Sequence, residues 1–276
     1  MANETMIDMW NNQSGAGWVT GQERMDRQLE PIGRLAIDAL VPATGERLLD
    51  IGCGTGATTL ALADAVGRSG TALGLDISAP MLALARSRAS DRSNVQFMQA
   101  DAQTYGFEPA SFDGVFSRFG VMFFDDPVGA FANIRRALKP KGRLAFVCWQ
   151  SLDKNRWMGE WAAFVADLIP PPPPPPPDAP GPFAFGDPAR VRSILEGAGW
   201  RDVKLTAHNL TVAFAQTVDE VLAGVQEVGP LVNALREAKA DMRAAVLARI
   251  ETEARTRLAS GGLTAPAAVW VVTGRS

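Results

Sequence analysis

Histidine, tyrosine and cysteine are nearly missing from this 276-residue chain, which holds one, one and two of them. A zinc centre needs three or four closely spaced ligands, and His208, Cys53 and Cys148 are too few to build one. No metal is therefore expected. The same two cysteines make no disulfide framework, which points to a reducing compartment. Charge of one sign is also lacking: Lys and Arg number 27 against 30 Asp and Glu, interspersed, for a net charge of −3. Without a basic field there is nothing to hold a phosphate backbone, so nucleic acid is not an expected partner. No apolar run reaches the ~20 residues that span a bilayer. Near the N-terminus, Glu4 and Asp8 stand where a signal peptide needs a basic start and an apolar stretch. The expectation is a cytoplasmic protein acting on a small molecule.

What is present is apolar mass and glycine. With 47% hydrophobic residues, the chain can bury the core of one large α/β domain with a cap. From Arg47, short apolar runs alternate with helical patterns, the mark of βαβ units and a parallel sheet. RLLDI (Arg47 to Ile51), TALGLDI (Thr71 to Ile77), NVQFMQAD (Asn94 to Asp101), FDGVFSRF (Phe112 to Phe119) and GRLAFVCW (Gly142 to Trp149) read as five strands. VKLTAHNLTVAF and AAVWVVTGR supply two more. Helices are expected after the glycines (Thr58 to Val66), after Ser78, over Val128 to Leu138 and within DPARVRSILEGAGW. Leu231, Leu235, Ala238, Met242, Val246 and Ile250 mark one face of a further helix. The expected division is a helical cap at 1–45, a nucleotide-binding core at 46–150, a Trp- and Pro-rich insertion at 151–186, and the rest of the sheet with inserted helices at 187–276. The insertion carries eight consecutive prolines, Pro170 to Pro177, read as a stiff extended spacer.

The stretch LLDIGCGTG, Leu48 to Gly56, carries the chemistry. A strand that runs into a glycine turn and then a helix presents backbone N–H groups and a positive helix end to a nucleotide-like ligand. Gly52, Gly54 and Ala57 also satisfy the dinucleotide spacing G-x-G-x-x-G/A, so an NAD(P)-binding oxidoreductase is the alternative. Asp50 discriminates: a carboxylate there repels a pyrophosphate and suits a ligand bearing an ammonium or sulfonium charge.

At every defined position this stretch resembles D-x-G-x-G-x-G, the first motif of the class I S-adenosylmethionine-dependent methyltransferases. FDGVFSRFGVMFF, DDP and LKPKGRLAF are similar to the small-molecule members related to the ubiquinone and menaquinone biosynthesis enzymes (methyltransferase types 11 and 25). The resemblance runs from about Gly45 to Gln150. It implies an α/β fold with a doubly wound, Rossmann-like seven-stranded sheet, an N-terminal helical cap and inserted helices. It implies S-adenosylmethionine as cofactor, with S-adenosylhomocysteine as product. Carried over by position, Asp50, Gly52, Cys53 and Gly54 form the cofactor loop, Asp76 with Ile77 meets the ribose hydroxyls, and Asp101 with Ala102 meets the adenine. Ser117 and Arg118, at the end of the fourth strand, face cofactor or acceptor. GAGWVTGQERMD resembles leader helices that fold over the cofactor, which puts Trp18 at the site. A nucleic-acid methyltransferase acting on exocyclic amines would carry D/N/S-P-P-Y/F after the fourth strand, where this chain has SRFG.

Methyl transfer from a sulfonium is an in-line displacement governed by alignment and exclusion of water. It requires no metal and no covalent nucleophile, and no catalytic residue is assigned. Tyr105 and His208, sole representatives of their types, are the aromatic candidates for a base, although His208 alternates with apolar neighbours as a structural strand residue does. Cys53 reads as a small residue suited to the loop, Met122, Phe123 and Phe124 as core, and Asp125 and Asp126 before Pro127 as a helix start. Seven tryptophans, several in the cap and insertion, favour an apolar or aromatic acceptor. The segments Trp10 to Gln22 and Trp157 to Phe185 are the expected lid.

Overall fold

The computed structural model describes residues 3–171, 176, 178–261 and 263–276. Four residues of the proline run's centre, 172–175, and Pro177 lie outside them, so the stiff-arm expectation falls largely outside the described residues. The chain opens with three helices, α1 (Glu4–Asn11), α2 (Gln13–Thr20) and α3 (Gln22–Leu40). Alternation follows: β1 (Arg47–Ile51), α4 (Ala57–Val66), β2 (Thr71–Asp76), α5 (Ala79–Arg88), β3 (Val95–Gln99), β4 (Phe112–Arg118), α6 (Pro127–Ala137) and β5 (Leu138–Trp149). Then come α7 (Trp157–Phe164), α8 (Pro188–Gly197), β6 (Arg201–Ala215), α9 (Val218–Glu227), α10 (Leu231–Glu237), α11 (Ala240–Ala259) and β7 (Leu263–Arg275).

The seven strands form one sheet in the order β3-β2-β1-β4-β5-β7-β6. β7 runs antiparallel to both β5 and β6, and the pairings among β1 to β5 are parallel. β1 is buried from Leu48 to Ile51 because helices cover both faces, which is why its sequence is an unbroken apolar run interrupted only by Asp50. The edge strand β6 alternates buried and exposed positions instead. Helix starts follow their caps. Ser78 caps α5 ahead of Pro80, Asp126 accepts from the Gly129 N–H at 2.9 Å, and Asp187 and Thr217 do the same for α8 and α9.

Pro31 sits inside α3 at an exposed position, where its missing donor leaves only a solvated carbonyl. One expectation about the helices changes. The stripe from Leu231 to Ile250 is two helices, α10 and α11, separated by extended backbone at Ala238 and Lys239. The break resets the helical phase, so Leu231, Leu235, Val246 and Ile250 are buried while Met242 is exposed.

The core is likewise divided. One cluster lies on both faces of the sheet and takes in α3, α4, α6 and α8. A second joins Trp161 and Val165 of the α7 segment to Val221, Leu235, Val246 and Ile250 of α9, α10 and α11. The insertion therefore begins in a helical cap built with α9 to α11. It ends in the main core, where Phe185 packs within 6.2 Å of Phe131 and Phe146.

Candidate active site

The C-terminal ends of β1, β2 and β4 meet at the glycine loop. Gly52, Gly54 and Gly56 have φ of +67°, +55° and +86°, the left-handed region that glycine enters freely. Gly52 lies face to face with Gly120 of the turn after β4: a Cβ on Gly52 would stand 2.6 Å from the Gly120 Cα. Ser117, fully buried, fastens the same crossing, donating to the Ile51 carbonyl at 2.7 Å and accepting from the Gly120 N–H at 3.2 Å. Its hydroxyl is thus committed to joining two loops, a correction to its expected place against the cofactor.

The N–H groups expected to face a ligand are also taken. Gly52 and Cys53 donate to the Leu75 carbonyl at 2.8 and 3.3 Å, Gly56 donates to Cys53, and Gly54 donates to the Asp76 carboxylate at 2.7 Å. The loop offers a carboxylate where a pyrophosphate needs free donors, which counts against the dinucleotide alternative. The Cys53 side chain turns inward over Gly74, and burial pushes its thiol well above the ordinary range, so it is no nucleophile.

Asp76 is nearly buried, one carboxylate oxygen accepting from Gly54 and the other from the Ser78 N–H at 2.8 Å. Each oxygen keeps a second lone pair, which is what a pair of ribose hydroxyls requires. Burial raises its pKa and the backbone donors at Ser78 and Gly54 oppose that rise. Asp50 is fully buried at the end of β1. Its Oδ2 accepts both Thr58 and Thr59 hydroxyls at 2.7 Å, and burial raises its pKa to about 6. Its Oδ1 has no partner. An unpaired buried acceptor of this kind fits a bound ammonium group. Arg118 lies against Gly33 of α3, beneath the cap and not at the cleft, with burial lowering its pKa and Asp26 and Asp50 opposing.

Asp101 accepts from the Gln103 N–H at 2.9 Å and from Asn3 Nδ2 at 3.3 Å. That amide NH2 is the same kind of donor as an adenine amino group. Ala102 is buried, with its carbonyl turned to Asn133 Nδ2, so it packs inward instead of lining the cleft. Ile77 is half-buried and contributes its carbonyl to Asn11 Nδ2 at 2.9 Å.

Residues of the expected N-terminal lid lie over the β2 end, held by hydrogen-bond partners that the sequence reading did not identify. Asn11 grips the β2 end twice, donating to Ile77 and accepting from the Ala79 N–H at 2.9 Å. The Ser78 hydroxyl donates to the Trp10 carbonyl at 2.7 Å. Trp10 then meets Phe123 edge-on at 5.2 Å and the half-buried Trp18 at 6.3 Å. Of the candidate bases, Tyr105 packs on Phe107 at 4.9 Å, and His208 sits on the outer edge strand β6 opposite Val269. A groove of about 760 Å³ beside α8, lined by Arg192, Glu196, Leu205 and Trp270, is separate from the strand ends.

A seven-stranded sheet with β7 reversed and a carboxylate-lined cleft at its C-terminal edge define the class I methyltransferase fold. Residues 49–146 match the family described as Methyltransferase domain. The nocamycin O-methyltransferase of Saccharothrix syringae is 30% identical over 258 residues, 89% of this chain and 90% of that protein. The aklanonic acid methyltransferase of Streptomyces sp. (strain C5) is 44% identical over 118 residues, 42% of this chain, and the match spans about half of that protein, 54%. Among solved structures, YcgJ of Bacillus subtilis shares the fold with a TM-score of 0.57 at 18% identity, covering 90% of this chain and 98% of that one. The chain belongs to the S-adenosylmethionine-dependent methyltransferase family, whose relatives act on small molecules.

Proposed function

We propose that this protein methylates an oxygen atom of a planar, largely apolar small molecule, the acceptor class that the names of its relatives suggest. The observation that carries the reading is the set of carboxylates at the strand ends, with Asp76 and the unpaired Asp50 Oδ1 beneath a cap bearing Trp10. In this reading Asp76 holds the ribose hydroxyls, Asp101 the adenine amino group and Asp50 the ammonium. When bound, the cofactor supplies an activated methyl group on a sulfonium. The chain's own residues bind, orient and exclude water: Trp10, Trp18 and Phe123 give an apolar roof, and the Asn11 grip keeps it down. His208 stands on the outer edge strand and the Tyr105 ring packs on Phe107, so neither is assigned as a base, and an acceptor already ionised at neutral pH, such as a carboxylate or an acidic phenol, would need none.

The division into cap, core, insertion and remaining sheet belongs to this proposal, with α7 and α9 to α11 forming one helical cap. So does a cytoplasmic location, supported by two buried free thiols. Among the described residues no helix is long and apolar enough to cross a membrane. A thermal-shift comparison tests the reading. S-Adenosylhomocysteine should raise the midpoint by mass action and NADPH should not. A methylation screen over phenols, aromatic acids and quinols, read by mass spectrometry, then identifies the acceptor. Stabilisation by NADPH alone would overturn the assignment.

A further inference from the structure

Four aromatic side chains run along the C-terminal edge of the sheet. Phe119, directly after β4, stacks on Trp149 at the end of β5 with ring centroids 4.3 Å apart and planes 9° from parallel. Trp149 meets Trp157, the first residue of α7, edge-on at 5.8 Å, and Trp157 meets Phe214 near the end of β6 at 5.4 Å. The row starts beside the cofactor loop, since the next residue after Phe119 is Gly120, the glycine on which Gly52 rests.

Two features of this row are not explained by packing alone. Phe119 has φ of +64°, a left-handed backbone that is unfavourable for an aromatic residue, and its N–H is held by the Val147 carbonyl at 3.0 Å. This backbone turn and the flat stacking on Trp149 occur at the same residue. The second feature is a missing partner. The indole N–H groups of Trp200 and Trp270 donate to the Phe131 and Gly186 carbonyls, both at 3.1 Å, but Trp157 Nε1 is buried without any acceptor. A buried donor left unpaired is destabilising, and an aromatic wall that supplies one directed donor is how an apolar pocket orients a polar ligand.

We infer that Trp157 selects the acceptor: its indole N–H donates to an oxygen of a planar aromatic molecule that packs against the Phe119, Trp149 and Phe214 rings. This rests on the methyltransferase reading above and adds to it the residue that orients the acceptor. Trp157 acts here as a specificity residue, with no part in proton transfer.

The test uses full-length protein saturated with S-adenosylhomocysteine, titrated calorimetrically with 2-naphthol and with naphthalene, which lacks the oxygen. Wild type should prefer 2-naphthol by about tenfold, the worth of one neutral hydrogen bond. Trp157→Phe keeps a ring and removes the donor. It should bring 2-naphthol down to the naphthalene level while leaving naphthalene and S-adenosylhomocysteine affinities unchanged. Trp157→His returns a ring N–H and should recover part of the preference, and it carries the test if the Phe variant does not fold. Phe214→Leu, which removes a wall but not the donor, should weaken both ligands alike. Equal preference in wild type and Trp157→Phe, with S-adenosylhomocysteine bound normally, would refute the inference and leave the methyltransferase reading standing. Failure of S-adenosylhomocysteine to bind wild type would overturn both.

Discussion

A methyl carbon added at Gly52 meets backbone, and one added at Gly54 meets the tip of a side chain. At Gly52 the obstacle is the Gly120 Cα at 2.6 Å, and at Gly54 it is Met81 Cε at 2.7 Å, which can swing aside. Gly52→Ala should therefore cost about 3 kcal/mol or more, combining left-handed strain with overpacking, and Gly54→Ala about 1–2 kcal/mol from strain alone. Chemical denaturation of both variants checks the order, and equal losses would mean that the crossing with Gly120 yields easily. Asp50 sets a pH dependence at the same scale. Its carboxyl titrates near 6 in the fold, against 3.8 for the free side chain, chiefly because it is buried. The folded state thus holds that proton more tightly, so this contribution to stability is complete below the unfolded value and is lost as pH rises through about 6. Asp50→Asn cannot titrate, and its stability relative to wild type should improve by roughly 2–3 kcal/mol between about pH 4 and pH 7. Denaturation curves that keep a constant gap across that range would show that Asp50 does not carry the shift. Asp76→Ala should both weaken cofactor binding and destabilise the fold, because two backbone donors, Gly54 and Ser78, lose their acceptor.

Elements were legible in proportion to how fully their own neighbours determine them. The inner parallel strands β1, β2 and β4 are buried along most of their length, so their apolar runs stand out against the helices between them, and Ser78 and Asp126 mark helix starts by side-chain caps that act locally. The break between α10 and α11 was hidden, because spacing by three and four continues through Ala238 and Met242 even where the backbone does not. Asp50 and Ser117 were correctly placed at the strand ends, but their partners, Thr58, Thr59 and the Ile51 carbonyl, depend on how the loops cross. The grip of α1 was illegible for a similar reason: Asn11 acquires meaning only from Ile77 and Ala79, far along the chain. Asn11→Ala removes both bonds and should free α1 by about 1–3 kcal/mol. Hydrogen exchange of the Ile7 to Trp10 amides should then accelerate by about tenfold or more, with faster release of S-adenosylhomocysteine. Exchange unchanged from wild type would mean that Trp10 and its aromatic contacts hold the helix without Asn11.

Over the whole molecule, the N-terminal helices and the helical cap are connected to each other. α2 crosses α9 at Gly17, where any Cβ would fall far inside contact distance of the Glu227 carbonyl. On either side the joint is charged: Arg24 pairs with Glu227 at 2.8 Å and Arg27 pairs with Glu220. The Arg24 pair is largely shielded from solvent, so it holds the two caps together more firmly than an exposed pair would. Through α2 and α1 the joint reaches Ser78 and Asp101, and through the second core it reaches Trp161 of α7, the helix that Trp157 begins. In the acceptor reading proposed above, this joint couples the cofactor roof to the acceptor wall, so that closing one favours closing the other and excludes water from both ligands. Gly17→Val forces the joint apart without touching either ligand position. Its expected signature is a joint loss, with S-adenosylhomocysteine affinity and aromatic-ligand affinity both falling by about fivefold or more, for a coupling on the order of 1 kcal/mol. Ile250→Ala, a cavity in the second core remote from the joint, should cost about 2–4 kcal/mol of cap stability and weaken the aromatic ligand alone. Calorimetric titration of both variants with both ligands separates these patterns. A Gly17→Val protein that loses only one of the two affinities would show that the caps close independently.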